Sequence, residues 1–527
     1  MTFSSKRLRR VVGTVAVIST AMLGVVSCTS NSSESSKEPV VDGTLKASIQ
    51  VDPGCLDPHQ FSLRMALQWG RQIVDSLIYE TADGKFSPWL ASSWSVNDTA
   101  TEFTFKLRDN VTFTDGSPLN AETVKANFDA LKAAGSTAAV AASYLAKYVE
   151  TEVVDTSTAV IKFSEPNAQF LYGASTPNLG LYSAKTAALS SKELCAGKFA
   201  TSGAFTVGEY IPNEHITLTR NDAYAWGPEA LENKGAAYLK TLTFNIIPDS
   251  ATAVGAAAGG ELDLAWGIEE QGIATLESAG WQNAEKPEPA LSAGWIINWD
   301  SLVGKETAIR QALMLGVDRK FLLSTRPETQ QPATGILNSA HPFYRDQSDK
   351  VKFDQQKAID ILEKAGWTEK GADGIRSRNG ERLSVDTIFY TPGAQPVMEL
   401  AKQQLAEIGL ELTLTPVTAN DETARMAEGN FDMRVSWFTG PEPTVIANVL
   451  QPSKDPKVKD YVLQQASVTD FTPRSAIVSD FTDYIADEAL LIPLWEQNFT
   501  PFWGPTVSNM TRDVAGLVMA SQIKTTK

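Results

Sequence analysis

Histidine and cysteine are scarce in this chain, three of each among 527 residues, and that scarcity removes several chemistries at the outset. His59, His215 and His341 stand too far apart in sequence to suggest a metal centre or a general-base site. No CxxC and no Cys/His cluster with metal-ligand spacing is present. HExxH, GxSxG, a GxGxxG following a strand and GxxxxGK(S/T) are all missing. The run from Gly255 to Gly260 looks loop-like, but Glu261 stands where a phosphate loop needs lysine. A helix of small residues ending in glycine is the simpler reading. Acidic pairs are common, so composition leaves a two-carboxylate glycosidase open, but no pair is singled out.

Positive charge is also in deficit. Lys and Arg total 46 against 62 Asp and Glu, a formal net charge of −16. The first 27 residues hold Lys6, Arg7, Arg9 and Arg10 and no acid, so their removal takes the chain to −20. So acidic a protein is a poor partner for nucleic acid or anionic lipid; a solvated acidic surface accounts for the charge, and attraction to cationic ligands is the other possibility. Past residue 43 there is no internal repeat, no long low-complexity segment and no apolar run of the ~20 residues that a membrane span requires.

What remains is the composition of a large exported globular protein. A hydrophobic fraction of 43% can bury a sizeable core, and the length suggests two or three domains. Twelve tryptophans suit either that core or an aromatic-lined recognition surface. The basic start is followed by an apolar run from Val11 to Val26, broken by Ser19 and Thr20, which has the form of a signal peptide over residues 1–27. The residues after Arg9-Arg10 do not fit a twin-arginine signal. The junction Val25-Val26-Ser27-Cys28 resembles a bacterial lipobox, which makes Cys28 the expected acylated N-terminus; an uncleaved anchor or a non-lipidated signal is the alternative. Residues 28–43, Ser-rich and polar, read as a flexible tether. Export to an oxidising compartment then makes Cys55 and Cys195 one disulfide, with two buried free thiols as the alternative.

The stretch Phe86–Leu131 organises the rest. Phe103, Phe105 and Leu107 share one side of a half-buried strand, and Val111 and Phe113 resume the pattern as its hairpin partner. Asp115-Gly116 supplies a turn. Asn120 can cap a helix with Glu122 in its first turn and Val124, Phe128 and Leu131 on one face. Pro88, Leu90, Ala91, Trp94, then Phe103, Phe105, Leu107, Arg108, Val111, Phe113, then Asp115, Gly116, Pro118, Leu119 and Ala121 closely resemble the signature region of the extracellular solute-binding proteins of family 5. These are the peptide, nickel and opine binders of ABC importers. Leu56-Asp57-Pro58, Ser202-Gly203, Arg220-Asn221, the segment 244–249 and Ile492-Pro493-Leu494-Trp495 extend the resemblance from Thr44 to the C-terminal end.

Elsewhere the pattern predicts strands over 44–51, 153–163, 410–414 and 431–437, and a helix starting near Phe61 and running to Tyr79. Asp354 should cap a helix stopped at Gly366, and a helix around 398–408 should end at Gly409 before the next strand. That helix–glycine–strand order is the mark of βα units and parallel sheet. The resemblance implies an α/β, two-lobed periplasmic-binding-protein type II fold, hinged like a Venus flytrap. The expected bounds are a first lobe over 44–294 with an extra subdomain near 80–170, completed by 497–527, and a second lobe over 295–496.

The implied function is an extracytoplasmic, lipid-anchored binding protein, not an enzyme, that carries a short peptide or peptide-like solute to ABC permease subunits. It is expected to be a monomer without cofactor, touching the membrane through its lipid alone. A metal-chelate or opine binder of the same family is the second reading; a secreted hydrolase or a signalling-peptide receptor represents other classes. In peptide-binding relatives an aspartate after the second-lobe strand pairs with the peptide's α-amino group. Here that loop offers Glu442 as its only acid, and Val435 replaces the arginine typical of the chelate and opine branch. Ligands of open α/β sheets sit beyond the carboxyl ends of strands. The expected contacts are therefore Trp266 and Trp437 from opposite lobes, Glu442 for a cationic group, Arg64 for a carboxylate, and Phe61 beside it.

Overall fold

The strand Gly43–Ile49 lies mid-sheet because Leu45, Ala47 and Ile49 are fully buried and Ser48 nearly so. In the computed structural model, which describes residues 41–61, 64–284, 287–326, 330–390, 392–497 and 501–526, it pairs in parallel with Leu239–Ile246 on one side and Leu264–Ala265 on the other. His215–Arg220 and Phe205–Ile211 continue the sheet antiparallel beyond Leu239–Ile246. Phe502–Trp503 and Gln282–Asn283 close its other side, making seven strands in all. The signal peptide, Cys28 and all but the last residues of the tether lie outside the described residues.

A second sheet of six strands forms the other lobe. Its order is Gln331–Pro332, Ile492–Glu496, Ala293–Ile297, Met433–Ser436, Ser384–Phe389, Glu411–Pro416. The βα pattern predicts parallel pairing, and the last three strands obey it. Ala293–Ile297 and Ile492–Glu496 instead run antiparallel to their neighbours. These two carry the chain into and out of the lobe, so no crossover helix dictates their direction. Trp295, Trp367 and Trp495 are buried in the apolar core beneath this sheet, which settles three of the twelve tryptophans as packing residues.

The third sheet is antiparallel, in the order Ala91–Val96, Glu102–Leu107, Thr158–Phe163, Tyr148–Asp155. The hairpin partner of Glu102–Leu107 is thus Ala91–Val96 and not 111–113. After Leu107 the chain turns away through Asn110 at φ +62°, and Thr158–Phe163 takes the free edge. The predicted single strand over 153–163 is two strands, split where Asp155 accepts a 2.8 Å hydrogen bond from the Ser157 N–H. Such a short aspartate turn leaves the apolar alternation unbroken in the sequence. Helix Ala121–Ala134 covers the sheet. Asn120 caps it by accepting from the Thr123 N–H at 2.9 Å. Phe103, Phe128 and Phe163 converge on Phe170 at centroid distances of 4.9, 5.9 and 5.0 Å.

Other caps follow the sequence. Asp354 accepts from the Lys357 N–H at 3.0 Å at the head of Gln355–Lys364. Helix Gln395–Glu407 gives way to Gly409 at φ +84°, where an added Cβ would lie 2.6 Å from Arg376 Cγ. The glycine-rich run is a helix, Ser250–Ala258, capped by Asp249. Among the described residues no helix is long and apolar enough to cross a membrane.

Cys55 and Cys195 are joined by a disulfide, beside a 2.9 Å hydrogen bond from the Leu56 N–H to the Cys195 carbonyl. The bridge closes 140 residues of sequence. In the chain-entropy account a loop of this size contributes about 5 kcal/mol. Replacing both cysteines by serine should therefore lower the calorimetric melting temperature of the first lobe by several degrees. An unchanged melting temperature with both thiols absent would contradict that account.

Candidate functional site

Helix Arg64–Ile73 presents a polar face at i, i+4, i+7 and i+8: Arg64, Gln68, Arg71 and Gln72. Gln68, Arg71 and Gln72 are buried, and their partners include the far C-terminal segment. The Gln68 side-chain oxygen accepts from the Val518 N–H at 3.1 Å. Gln72 donates to the Val518 carbonyl at 2.7 Å and accepts from the Ala520 N–H at 3.0 Å. Arg71 donates to Ser76 Oγ at 3.0 Å and lies 3.7 Å from Asp513. Arg64 Nε stands 2.6 Å from Glu288, whose side chain is 2% exposed. Glu288 lies between strand Gln282–Asn283 of the first sheet and Ala293–Ile297 of the second, so this ion pair ties the interlobe crossing to the first lobe.

Gly516 makes that pair possible. It adopts φ +73°, and a Cβ there would fall 2.6 Å from Arg64 Nη2 and 2.7 Å from Glu288 Oε1.

Above these charges lies a cavity of about 180 Å³. The first lobe supplies Phe61, Arg64, Leu67, Glu80, Tyr144, Tyr172 and residues 175–178. Asp513, Val514, Ala515 and Leu517 form part of the lining, and the second lobe contributes Thr439 and Gly440, just past strand Met433–Ser436. Both lobes therefore border it, and both signs of charge face it. Burial pushes the carboxyls of Glu80, Glu288 and Asp513 upward; Arg64 counteracts the effect on Glu288 and Arg71 on Asp513. One layer below, Asp75 accepts from Trp226 Nε1 at 2.9 Å and Tyr224 OH at 3.3 Å. Burial lifts it to about 7. Among the described residues no group of three or more His, Cys, Asp or Glu is arranged to hold a metal ion.

The structure brings together two of the five residues singled out as ligand contacts, Phe61 and Arg64. Glu442 is near but engaged. Arg474 donates to both its oxygens, at 2.9 and 2.7 Å, and also to Gln465 at 2.6 Å. Trp266 is 2% exposed, in the first-lobe core, stacked on Phe244 at 6.3 Å. It does not border the cavity. Trp437 is half-buried against the second-lobe core and faces a crevice of about 10 Å³ with Trp295 and Phe438, no more than one water's room. The aromatic rings that line the cavity are those of Phe61, Tyr144 and Tyr172. Each tryptophan stands one residue past a strand, and the apolar layers there take up Trp266 wholly and Trp437 in part. No local pattern in the sequence marks Glu80, Glu288 or Asp513. The polar spacing of Arg64, Gln68, Arg71 and Gln72 was the available signal.

The sequence model of the bacterial extracellular solute-binding proteins, family 5 Middle, matches residues 85–457. The nickel-binding periplasmic protein of Escherichia coli K12 is 26% identical over 472 residues, covering 84% of this chain and 87% of that protein. The glutathione-binding protein GsiB of the same strain is 23% identical over 488 residues, 85% and 89% of the two chains. The crystal structure of NikA from Brucella suis with Fe(III)-EDTA superposes with a TM-score of 0.79 at 25% identity, over 92% of this chain and all of that one. The oligopeptide-binding AppA of Bacillus subtilis, solved with a nonapeptide, gives 0.73 at 17% identity over 93% and 100%.

Two outcomes follow from this geometry. Gly116 also has positive φ, +79°, but open space around it. Gly116→Ala should cost about 1 kcal/mol for the backbone alone, and Gly516→Ala a further ~1–3 kcal/mol for crowding the ion pair. Equal losses in denaturant unfolding would show that the pair gives way freely. For Asp75, raised from 3.8 to about 7, the folded state keeps a proton that the unfolded chain releases. Its contribution is full below pH 4 and is lost as pH rises to 7, at no more than about 1.4 kcal/mol per pH unit. Wild type should lose melting temperature more steeply than Asp75→Asn between pH 4 and 7; parallel slopes would contradict this.

Proposed function

The chain belongs to the bacterial extracellular solute-binding proteins of family 5, and from that membership we propose that it is the lipid-anchored binding component of an ABC importer, carrying a short peptide or peptide-like solute. It is a binding protein, not an enzyme. One observation supports the ligand reading: the cavity touches both lobes, and both Arg64 and Glu80 line it. A small solute with a carboxylate, which Arg64 can take beside Glu288, and an ammonium, which Glu80 can take, matches these two groups. At about 180 Å³, the space is below the ~300–1,000 Å³ of pockets for drug-sized ligands, so an extended oligopeptide does not fit the cavity as it stands.

The mechanism needs no bond chemistry. A solute that touches both lobes only when they are closed shifts the open–closed equilibrium toward the closed form. Moving it from 1:99 to 99:1 takes about 5.5 kcal/mol of differential affinity. Ring contacts with Tyr144 and Tyr172 plus a few charge-assisted hydrogen bonds are of that order. Delivery to the permease follows reopening. The anchor is proposed at Cys28, with residues 28–43 as its tether.

A chelated metal is the second reading, favoured by the likeness to the nickel-binding protein and to NikA with Fe(III)-EDTA. Native mass spectrometry of protein purified without unfolding separates the two. A peptide-sized mass released on denaturation supports the first; an adduct with a metal isotope pattern replaces it by the second. For the anchor, intact-mass analysis of the membrane fraction should show acyl chains on residue 28, and an unmodified residue there would refute it.

A further inference from the structure

The acids around the cavity differ in how they are answered. Glu288 stands against Arg64. Asp513 accepts from the Leu517 N–H at 2.8 Å and lies near Arg71. Glu442 is held by both terminal nitrogens of Arg474. Glu80 borders the same cavity, is 8% exposed, and its buried Oε2 has no hydrogen-bond partner among the described residues. An unanswered carboxyl oxygen at such depth is costly unless something arrives to pair with it.

Resting on the solute-binding reading of this cavity, we infer that Glu80 receives the cationic group of the solute, an ammonium or guanidinium. The groups facing it explain why no residue of the protein plays that part. Glu442 and Arg474 approach from the second lobe, Asp513 from the C-terminal segment and Arg64 from its helix, and the Tyr144 and Tyr172 phenols line the same cavity. Arg474 has committed its terminal nitrogens to Glu442 and Gln465, and Arg64 lies against Glu288. Burial and the charges of Glu442 and Asp513, opposed by that of Arg474, favour the protonated carboxyl of Glu80 while the cavity lacks a cation. When the cation enters, that proton leaves to solvent and an ion pair takes its place, so net charge is conserved within the closed site. The cation then sits on the first lobe, opposite the loop that carries Glu442.

The test uses the full mature chain with three probes: mixed L-dipeptides with free amines, the same mixture N-acetylated, and agmatine. Wild type should retain free-amine dipeptides, or agmatine, at least tenfold more strongly than the acetylated mixture, and Glu80→Gln should lose that preference. Gln copies the shape and neutrality of the protonated acid, so its melting temperature should match or exceed that of wild type. A second measurement needs no variant: calorimetry at pH 6 in phosphate and in MES should show about one proton released per cation bound. Equal retention of free and acetylated dipeptides, or no proton release, overturns the role of Glu80 while leaving the peptide reading intact. Binding of agmatine alone, dependent on Glu80, overturns the peptide reading and upholds the inference. If no cationic probe binds, the inference fails.

Discussion

The Arg64–Glu288 ion pair is the constraint on which the site depends. Each charge removed from water costs several kcal/mol, and only a close partner offsets that cost, so removing one member typically loses about 3–5 kcal/mol. The position of Glu288 gives the pair its structural meaning. It lies on the segment that leaves the first sheet for the second, with its carbonyl held by Asn338 at 2.7 Å. Gly516 stays bare to accommodate the pair, and the face of helix Arg64–Ile73 is polar because further along it Arg71 meets Asp513. A hinge crossing secured by a buried charge pair has a defined resting geometry. That geometry positions the cavity walls.

The cavity is accordingly a charged space whose charges are mostly spoken for. Asp513 has Arg71, Glu288 has Arg64, and Glu442 has Arg474. A solute entering between the lobes meets few free groups. Specificity in such a site comes from the unmatched positions, because a buried polar group left unpaired penalises the wrong ligand more than a satisfied one rewards the right one.

The fold was legible where local chemistry decides structure. Asn120, Asp354 and Gly409 mark helix ends through interactions within a few residues, and the run 250–258 is helical for the same reason. The site was legible in part. Phe61 and Arg64 follow the family motif around Leu56-Asp57-Pro58, and both reach the cavity. Trp266 and Trp437 stand at strand ends, but whether a strand end meets solvent or core depends on the layer beneath it. Glu80 ends a three-residue strand, Ile78–Glu80, that reads as the apolar tail of a helix. Its burial is imposed by residues from the second lobe and the C-terminal segment, which no window around position 80 contains.

The stitching of helix Arg64–Ile73 to Val518 and Ala520 bears on the order in which the molecule can be assembled. The Gln68–Val518 bond joins residues 450 apart in sequence, a contact of very high order. During synthesis the helix can form early from its own residues, and Arg71 finds Ser76 soon after, but Gln68 and Gln72 have no route to Val518 and Ala520 until residue 520 has been made. For almost the whole of that time a polar stripe destined for the interior must remain hydrated. The first lobe is thus begun by the earliest part of the folded chain and finished by the last, with the second lobe complete in sequence before the first can be.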